Sequence, residues 1–213
     1  MALSSSIRKD CNSVWAAGNN SGALDGPVGS HLVASTWYHV FLIGRVDTNT
    51  ADIFISTNVT SPILPLPYTK KRRIGSIRTD ASAHIIKFVQ IGDQFLWAAS
   101  TNGTVSGTWD LSSVAVAATP GTLFTLFTPL GISTKALLWV ATTTAMDFLL
   151  VSPLTNTTVI ASWNLGNASV ANVQGYQYEI WTNTTSQILV IAATAQPNGF
   201  FVSTAGWTDP RGK

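Results

Sequence analysis

From Thr36 onward, hydrophobic and polar positions follow a short-period pattern broken by turn residues, and that pattern predicts strands. The run Thr36 to Arg45 is dense in aromatic and β-branched residues, which pack well on a pleated surface. Trp37, His39, Phe41 and Ile43 would share one face, and Tyr38, Val40 and Leu42 the other. Both faces are largely apolar, as in a central strand. Asp47-Thr48-Asn49-Thr50 reads as a turn and Ala51 to Thr57 as the returning strand, which together predict a hairpin.

Pro62, Pro65 and Pro67 make Asn58 to Tyr68 a loop or an edge-hugging extended segment, because proline cannot donate to a sheet ladder. Arg72 to Thr79 then reads as a strand, with Arg72, Ile74, Ser76 and Arg78 on one face and Arg73, Gly75, Ile77 and Thr79 on the other. His84 to Ser100 gives one long strand or two short ones bent at Gly92-Asp93. Further strands are expected at Leu111 to Thr119, Ala136 to Thr144, Asp147 to Pro153, Thr158 to Asn164, Tyr176 to Asn183, Ser186 to Thr194 and Gly199 to Trp207. Turn signals separate most of them, among them Asn102-Gly103, Pro120-Gly121 and Pro197-Asn198-Gly199. No window of helical length carries an i, i+3, i+4 pattern, and no fixed-period repeat is present. About ten strands with short turns imply an all-β fold: a β-sandwich or jelly-roll-like single domain over residues 31–213.

Residues 1–30 differ. They are rich in Ser, Gly and Asn, with isolated apolar residues and no sustained period, and read as an extended N-terminal arm that becomes ordered by lying on something. Ile7, Val14 and Trp15 are the candidate anchors of that arm.

Composition sharpens the picture in one respect. Hydrophobic residues make up 46 % of the 213, an ordinary share, but charged residues only 10 %, against about 25 % in a typical soluble domain. From Phe88 to Trp207 the charged residues are Asp93, Asp110, Lys135, Asp147 and Glu179. Monomeric sandwiches usually place more charge on solvent faces and edges, so this half is expected to be covered in a homo-oligomer. The net charge of +2 gives no argument for nucleic acid or membrane as a partner. The uncharged stretches Leu111 to Thr134 and Phe148 to Tyr178 are too rich in Pro, Gly, Thr and Asn for membrane helices, and the first residues lack the apolar core of a secretion signal. The sequons at Asn19, Asn58, Asn102, Asn156, Asn167 and Asn183 then mark Asn/Thr-rich turns rather than glycans.

Candidate chemistry is sparse. Cys11 is the single cysteine, so no intrachain disulfide or cysteine metal cluster is expected. His31, His39 and His84 have no His, Cys or carboxylate at metal-ligand spacing, and His39 reads as a packed residue of its strand. Asp47 with Asp52, and Asp80 with Asp93, are carboxylates near turns and read as solvated loop residues rather than an acid pair for glycoside hydrolysis. No nucleophile elbow, zinc-protease or phosphate-loop motif occurs, so no catalytic, cofactor or metal site is expected. Lys70-Lys71-Arg72-Arg73 is the densest charge feature. It reads either as a site for an anionic partner or as a solvated entry to the strand that follows. Most of the tryptophans should fill the core; Trp109 and Trp207, beside turns, are the candidate exposed pair that could stack on sugars.

Several of these residues carry a resemblance. Thr36-Trp37-Tyr38-His39, the Phe54 to Pro62 segment, Tyr68 with Lys71-Arg72-Arg73-Ile74-Gly75-Ser76, and Gly92-Asp93 before Phe95 and Trp97 resemble a β domain that recurs in virion-associated proteins of tailed bacteriophages and prophages. Gly22-Ala23-Leu24-Asp25 and the C-terminal Gly206-Trp207-Thr208-Asp209-Pro210-Arg211-Gly212 extend it toward both ends, with Pro210 standing where the family pattern has Arg. The resemblance implies an all-β, often trimeric structural protein of the particle, on the tail or the capsid surface, that contacts other virion proteins. It implies no catalytic residues.

The expectation is therefore a non-enzymatic, tail-associated virion protein serving assembly and host attachment, with a host-surface glycan as a candidate partner. Two alternatives stand beside it: a capsid decoration or head-fibre protein whose arm grips the shell, and a carbohydrate-binding adhesion module.

Overall fold

The computed structural model describes residues 3, 5–98, 110–143, 145–153, 166–168 and 176–211. The chain is all-β and sandwich-like. It divides into two compact units, Met1–Ile86 with Arg211–Lys213, and Lys87–Pro210. This differs from the expected arm plus single domain. The reason lies in the pairing: each sheet is built entirely within one unit.

The first unit holds β1 (Lys9–Val14), β2 (Ser21–Leu24), β3 (Trp37–Gly44), β4 (Ala51–Ser56) and β5 (Lys70–Arg78), in the order β1-β2-β4-β3-β5. The β3–β4 hairpin falls where the pattern places it. Its ladder runs from His39–Ser56 to Gly44–Ala51, and the turn is closed by Arg45 N–H donating to Thr50 O at 2.9 Å. Asn49 takes φ 51°, a left-handed conformation that asparagine tolerates better than most residues. Phe41 and Phe54 face each other across this pair and, with Ile43 and Tyr68, form the core cluster against which Trp15 and Leu64 pack.

The leader is the first correction. It is ordered, but as part of a sheet rather than as an arm laid on a separate domain: β1 pairs β2 in parallel, and β2 meets β4 in parallel at Leu24–Ile55. Gly22 makes the close approach possible, since a Cβ there would lie 1.9 Å from Val14 O. The polar composition of this segment reflects a two-strand extension with few apolar anchors.

The second unit holds ten strands among its described residues: β6 (Phe88–Ile91), β7 (Gln94–Trp97), β8 (Leu111–Val116), β9 (Thr122–Thr125), β10 (Lys135–Thr142), β11 (Met146–Val151), β12 (Gly166–Ala168), β13 (Tyr176–Trp181), β14 (Gln187–Ala192) and β15 (Gln196–Thr208). One sheet has the order β13-β10-β15-β7-β6, with β8 also on β15; the other has the order β12-β11-β14-β9. Ala136, Leu138 and Val140 from the first sheet and Phe148, Leu150, Ile188 and Val190 from the second belong to one continuous buried cluster, so the two sheets form a sandwich. β10 and β14 are nearly unbroken apolar runs, which mark them as strands but do not say which residues point inward. Gly92, at φ 60°, turns β6 into β7, which resolves that segment as two short strands. β9 and β12 are short strands that the pattern did not predict, and the strand expected at Thr158 to Asn164 lies outside the described residues.

Part of the hydroxyl content turns inward. Thr128, Thr134, Thr182 and Ser186 are all fully buried. Ser186 Oγ is within hydrogen-bonding distance of Leu126 O at 3.0 Å, Thr128 O at 2.9 Å and the Thr128 hydroxyl, and Thr182 Oγ1 donates to Thr134 O at 3.2 Å. Buried hydroxyls satisfied in this way avoid the desolvation cost of unpaired polar groups.

Candidate functional site

Lys70 to Arg73 open β5, which is an edge strand of its sheet. Lys70, Lys71 and Arg72 are exposed, and Arg73 is half-buried. Lys71 Nζ donates to Thr60 O at 2.6 Å. A register shift between Val40–Gly75 and Phe41–Arg73 leaves Ile74 as the extra residue of a bulge. The bulge changes the expected faces: Lys71, Arg73, Ser76 and Arg78 now stand opposite Ile43, Phe41, His39 and Trp37. Arg73 Nη1 accordingly reaches Ser76 Oγ at 3.3 Å, and the Arg78 guanidinium lies over the Trp37 ring at 5.7 Å. Exposed like charges along an edge are a recognised means of blocking strand addition, and this placement fits that solvated role.

Trp15 is a working anchor of the leader. Its Nε1–H donates to Ile53 O at 3.0 Å and its ring meets Tyr68 edge-on at 5.2 Å. Ile7 and Val14 are half-buried. Beside Trp15 lies an ion pair that sequence reasoning missed: Lys9 Nζ is 3.2 Å from Asp52 Oδ1, with side chains only 4 % and 2 % exposed. The ammonium also donates to Ala16 O (2.6 Å), Ser21 Oγ (2.8 Å) and Gly18 O (3.1 Å) and sits 5.4 Å from the Trp15 ring centroid. Asp52 accepts from Gly18 N–H at 2.9 Å and Ile53 N–H at 2.7 Å. Every visible group is satisfied, so the pair acts as a clasp on the leader. Asp52, expected as a solvated loop carboxylate, is instead enclosed because it pairs with Ile43 inside the sheet.

His39 and Ser76 form the one hydroxyl–imidazole contact in the first unit's described residues, with Nδ1 and Oγ 3.0 Å apart. They are 2 % and 1 % exposed. Ser76 also receives the Arg73 guanidinium, and the neighbouring Ser56 donates to Asp25 Oδ2 at 2.7 Å. A nucleophile and base need access to substrate; this pair sits within the sheet and works as a polar strut across β3 and β5. Among the described residues no three His, Cys, Asp or Glu side chains gather as a metal-binding group. Elsewhere, Asp80 accepts from His84 N–H at 2.9 Å and Ser82 N–H at 2.8 Å, and the first of these bonds is the main cause of its lowered pKa. Burial pushes the Cys11 thiol up.

The tryptophans bring the second clear correction. Trp207, expected to be exposed, has no accessible surface. It stacks on Phe95 with centroids 5.1 Å apart and planes within 2°, and touches Trp97 at 5.0 Å; Trp97 in turn meets Phe127 at 5.1 Å. Proximity to a turn misled the expectation, because β15 runs through to Thr208 and pairs Trp207 with Phe95. Trp109 lies outside the described residues. Among the described residues the exposed tryptophans are Trp139 on β10 and Trp181 on β13, at 44 % and 37 %. Each falls on the opposite parity from the inward residues Ala136, Leu138, Val140 and Ile180, a relation that becomes legible only once the covered face is known.

The same outward face carries Lys135 and Glu179, whose side chains form an ion pair, and the exposed Gln177, which stands opposite Trp139. Asp110, another of the sparse charges of this half, is used internally: it accepts from Phe127 N–H at 2.8 Å and from the Thr204 hydroxyl. Comparison of the chain with protein-family profiles, with curated proteins and with solved structures returned no match.

Proposed function

We propose that the chain is a non-enzymatic structural protein of a tailed-bacteriophage virion, tail-associated, homo-oligomeric with a trimer favoured, and serving particle assembly and host attachment. The observation that carries this reading is the sequence resemblance at Thr36 to Trp97, Gly22 to Asp25 and Gly206 to Gly212. The architecture supports it: a charge-poor sandwich in which Asp110 is used internally, while Val89, Ile91, Leu123 and Leu130 stay exposed. Such side chains on a charge-poor surface suit contact with neighbouring subunits.

Capsid decoration is the weaker alternative within the same setting. It would use the leader arm to grip the shell, whereas β1 and β2 of that leader pair within their own sheet. Immunogold labelling of intact particles tests the proposal directly, with label expected on the tail. Label confined to unassembled protein in the lysate would overturn the virion role, and sedimentation of a stable monomer at micromolar concentration would overturn the oligomer.

A further inference from the structure

The outward face of β10 and β13 pairs two exposed indoles with polar side chains that the fold itself does not require. Lys135, Leu137 and Trp139 project from β10 on the side opposite Ala136, Leu138 and Val140. Gln177, Glu179 and Trp181 do the same from β13, opposite Ile180 and the partly buried Tyr178. The register sets Trp139 against Gln177 and Trp181 against Lys135. The two indoles are therefore four residues apart along the strands, roughly 13 Å, and about 5 Å apart across them. The Lys135–Glu179 ion pair lies between them.

We infer that this face binds a neutral oligosaccharide. An indole presents an electron-rich face, and the C–H faces of a sugar ring present slight positive charge, so the two stack. Two such platforms at this spacing match a short run of linked sugars better than a single ring. Beside them, an ammonium, a carboxylate and an amide offer donors and acceptors to ring hydroxyls. The ammonium and carboxylate neutralise each other, so the face has no net attraction for an anionic chain. The same pair argues against a second copy of the protein as occupant, because Lys and Glu are depleted from the dry centres of protein interfaces. The inference rests on the host-attachment element of the proposed role, but it is read as binding by the purified chain, so its failure can be told apart from failure of the virion role, which is read on particles.

The test is titration of the whole chain with cellohexaose, maltohexaose, mannohexaose and chitohexaose, with hyaluronan as the anionic comparison, followed by tryptophan fluorescence and calorimetry. Saturable binding of at least one neutral hexasaccharide and none of hyaluronan is expected. Trp139→Ala and Trp181→Ala should each weaken it about ten-fold or more, with unchanged circular dichroism, while Trp181→Tyr retains most of it. Absence of binding to all four at millimolar concentration, preference for hyaluronan, or affinity unaltered by both alanine substitutions would overturn the inference. So would a change from oligomer to monomer in either alanine variant, which would assign the face to a second copy of the chain.

Discussion

Replacing Lys9 by Met tests whether the leader is held by its buried clasp. The substitution keeps the length of the side chain and removes the ammonium. Asp52 is then left enclosed with its two backbone donors, Gly18 and Ile53, but without its cation. Removing one member of a buried pair typically costs about 3–5 kcal/mol, because the remaining charge is not compensated. Ala16 O and Gly18 O also lose a donor, although Ser21 Oγ lies 2.6 Å from each and can still serve one of them. That retained contact places the expected loss near the lower end, about 3 kcal/mol. Asp52→Asn should cost a similar amount, and the double variant less than the sum, with a coupling of about 1–3 kcal/mol. Fluorescence alone would blend eight tryptophans over two units. Amide hydrogen exchange followed by mass spectrometry on peptides covering 9–24 isolates the leader, with urea unfolding as the global measure. Because burial limits screening, the loss should persist in high salt. A cost below about 1 kcal/mol, or one that salt abolishes, would show a solvated pair of the ordinary surface kind and refute the clasp.

Two further outcomes follow from local geometry. A Cβ on Gly206 would lie 2.2 Å from Phe95 O, a backbone atom that cannot rotate away, so Gly206→Ala should separate β15 from β7 and cost about 1–3 kcal/mol in urea unfolding; a change within about 0.5 kcal/mol would refute the close approach. The Arg45 guanidinium donates to both carboxylate oxygens of Asp47, at 3.0 and 2.6 Å, and this holds the Asp47 pKa down at about 2 rather than 3.8. A depressed carboxylate contributes stability that is present above its unfolded value and is lost as pH falls, here between 3.8 and about 2. A carboxyl-carbon NMR titration should show that midpoint in the native chain, and Arg45→Met should return it toward about 4; an ordinary midpoint in the unaltered protein would exclude the bidentate contact.

The all-β class was legible in the chain because strand formation leaves a local mark. The short apolar run Ala136 to Ala141, and the aromatic and β-branched density of Trp37 to Ile43, mark strands whatever they pair with. The turn at Asp47 to Thr50 was legible for the same reason: its chemistry is contained in four neighbouring residues. Parity divides a strand into two faces, however, without saying which face another sheet will cover. Trp207 is buried and Trp139 half-exposed through partners far away in sequence, and those partners were set by the assembly of the sheets. The bulge at Ile74 likewise moved Arg73 onto the face of Ser76, a shift of one residue that no composition reveals. The Lys9–Asp52 contact joins residues 43 apart, and the polar leader gave no sign that its lysine would be enclosed. Local pattern thus determined what the segments are. Long-range pairing decided which side chains are hidden, which are joined, and which two indoles remain facing solvent.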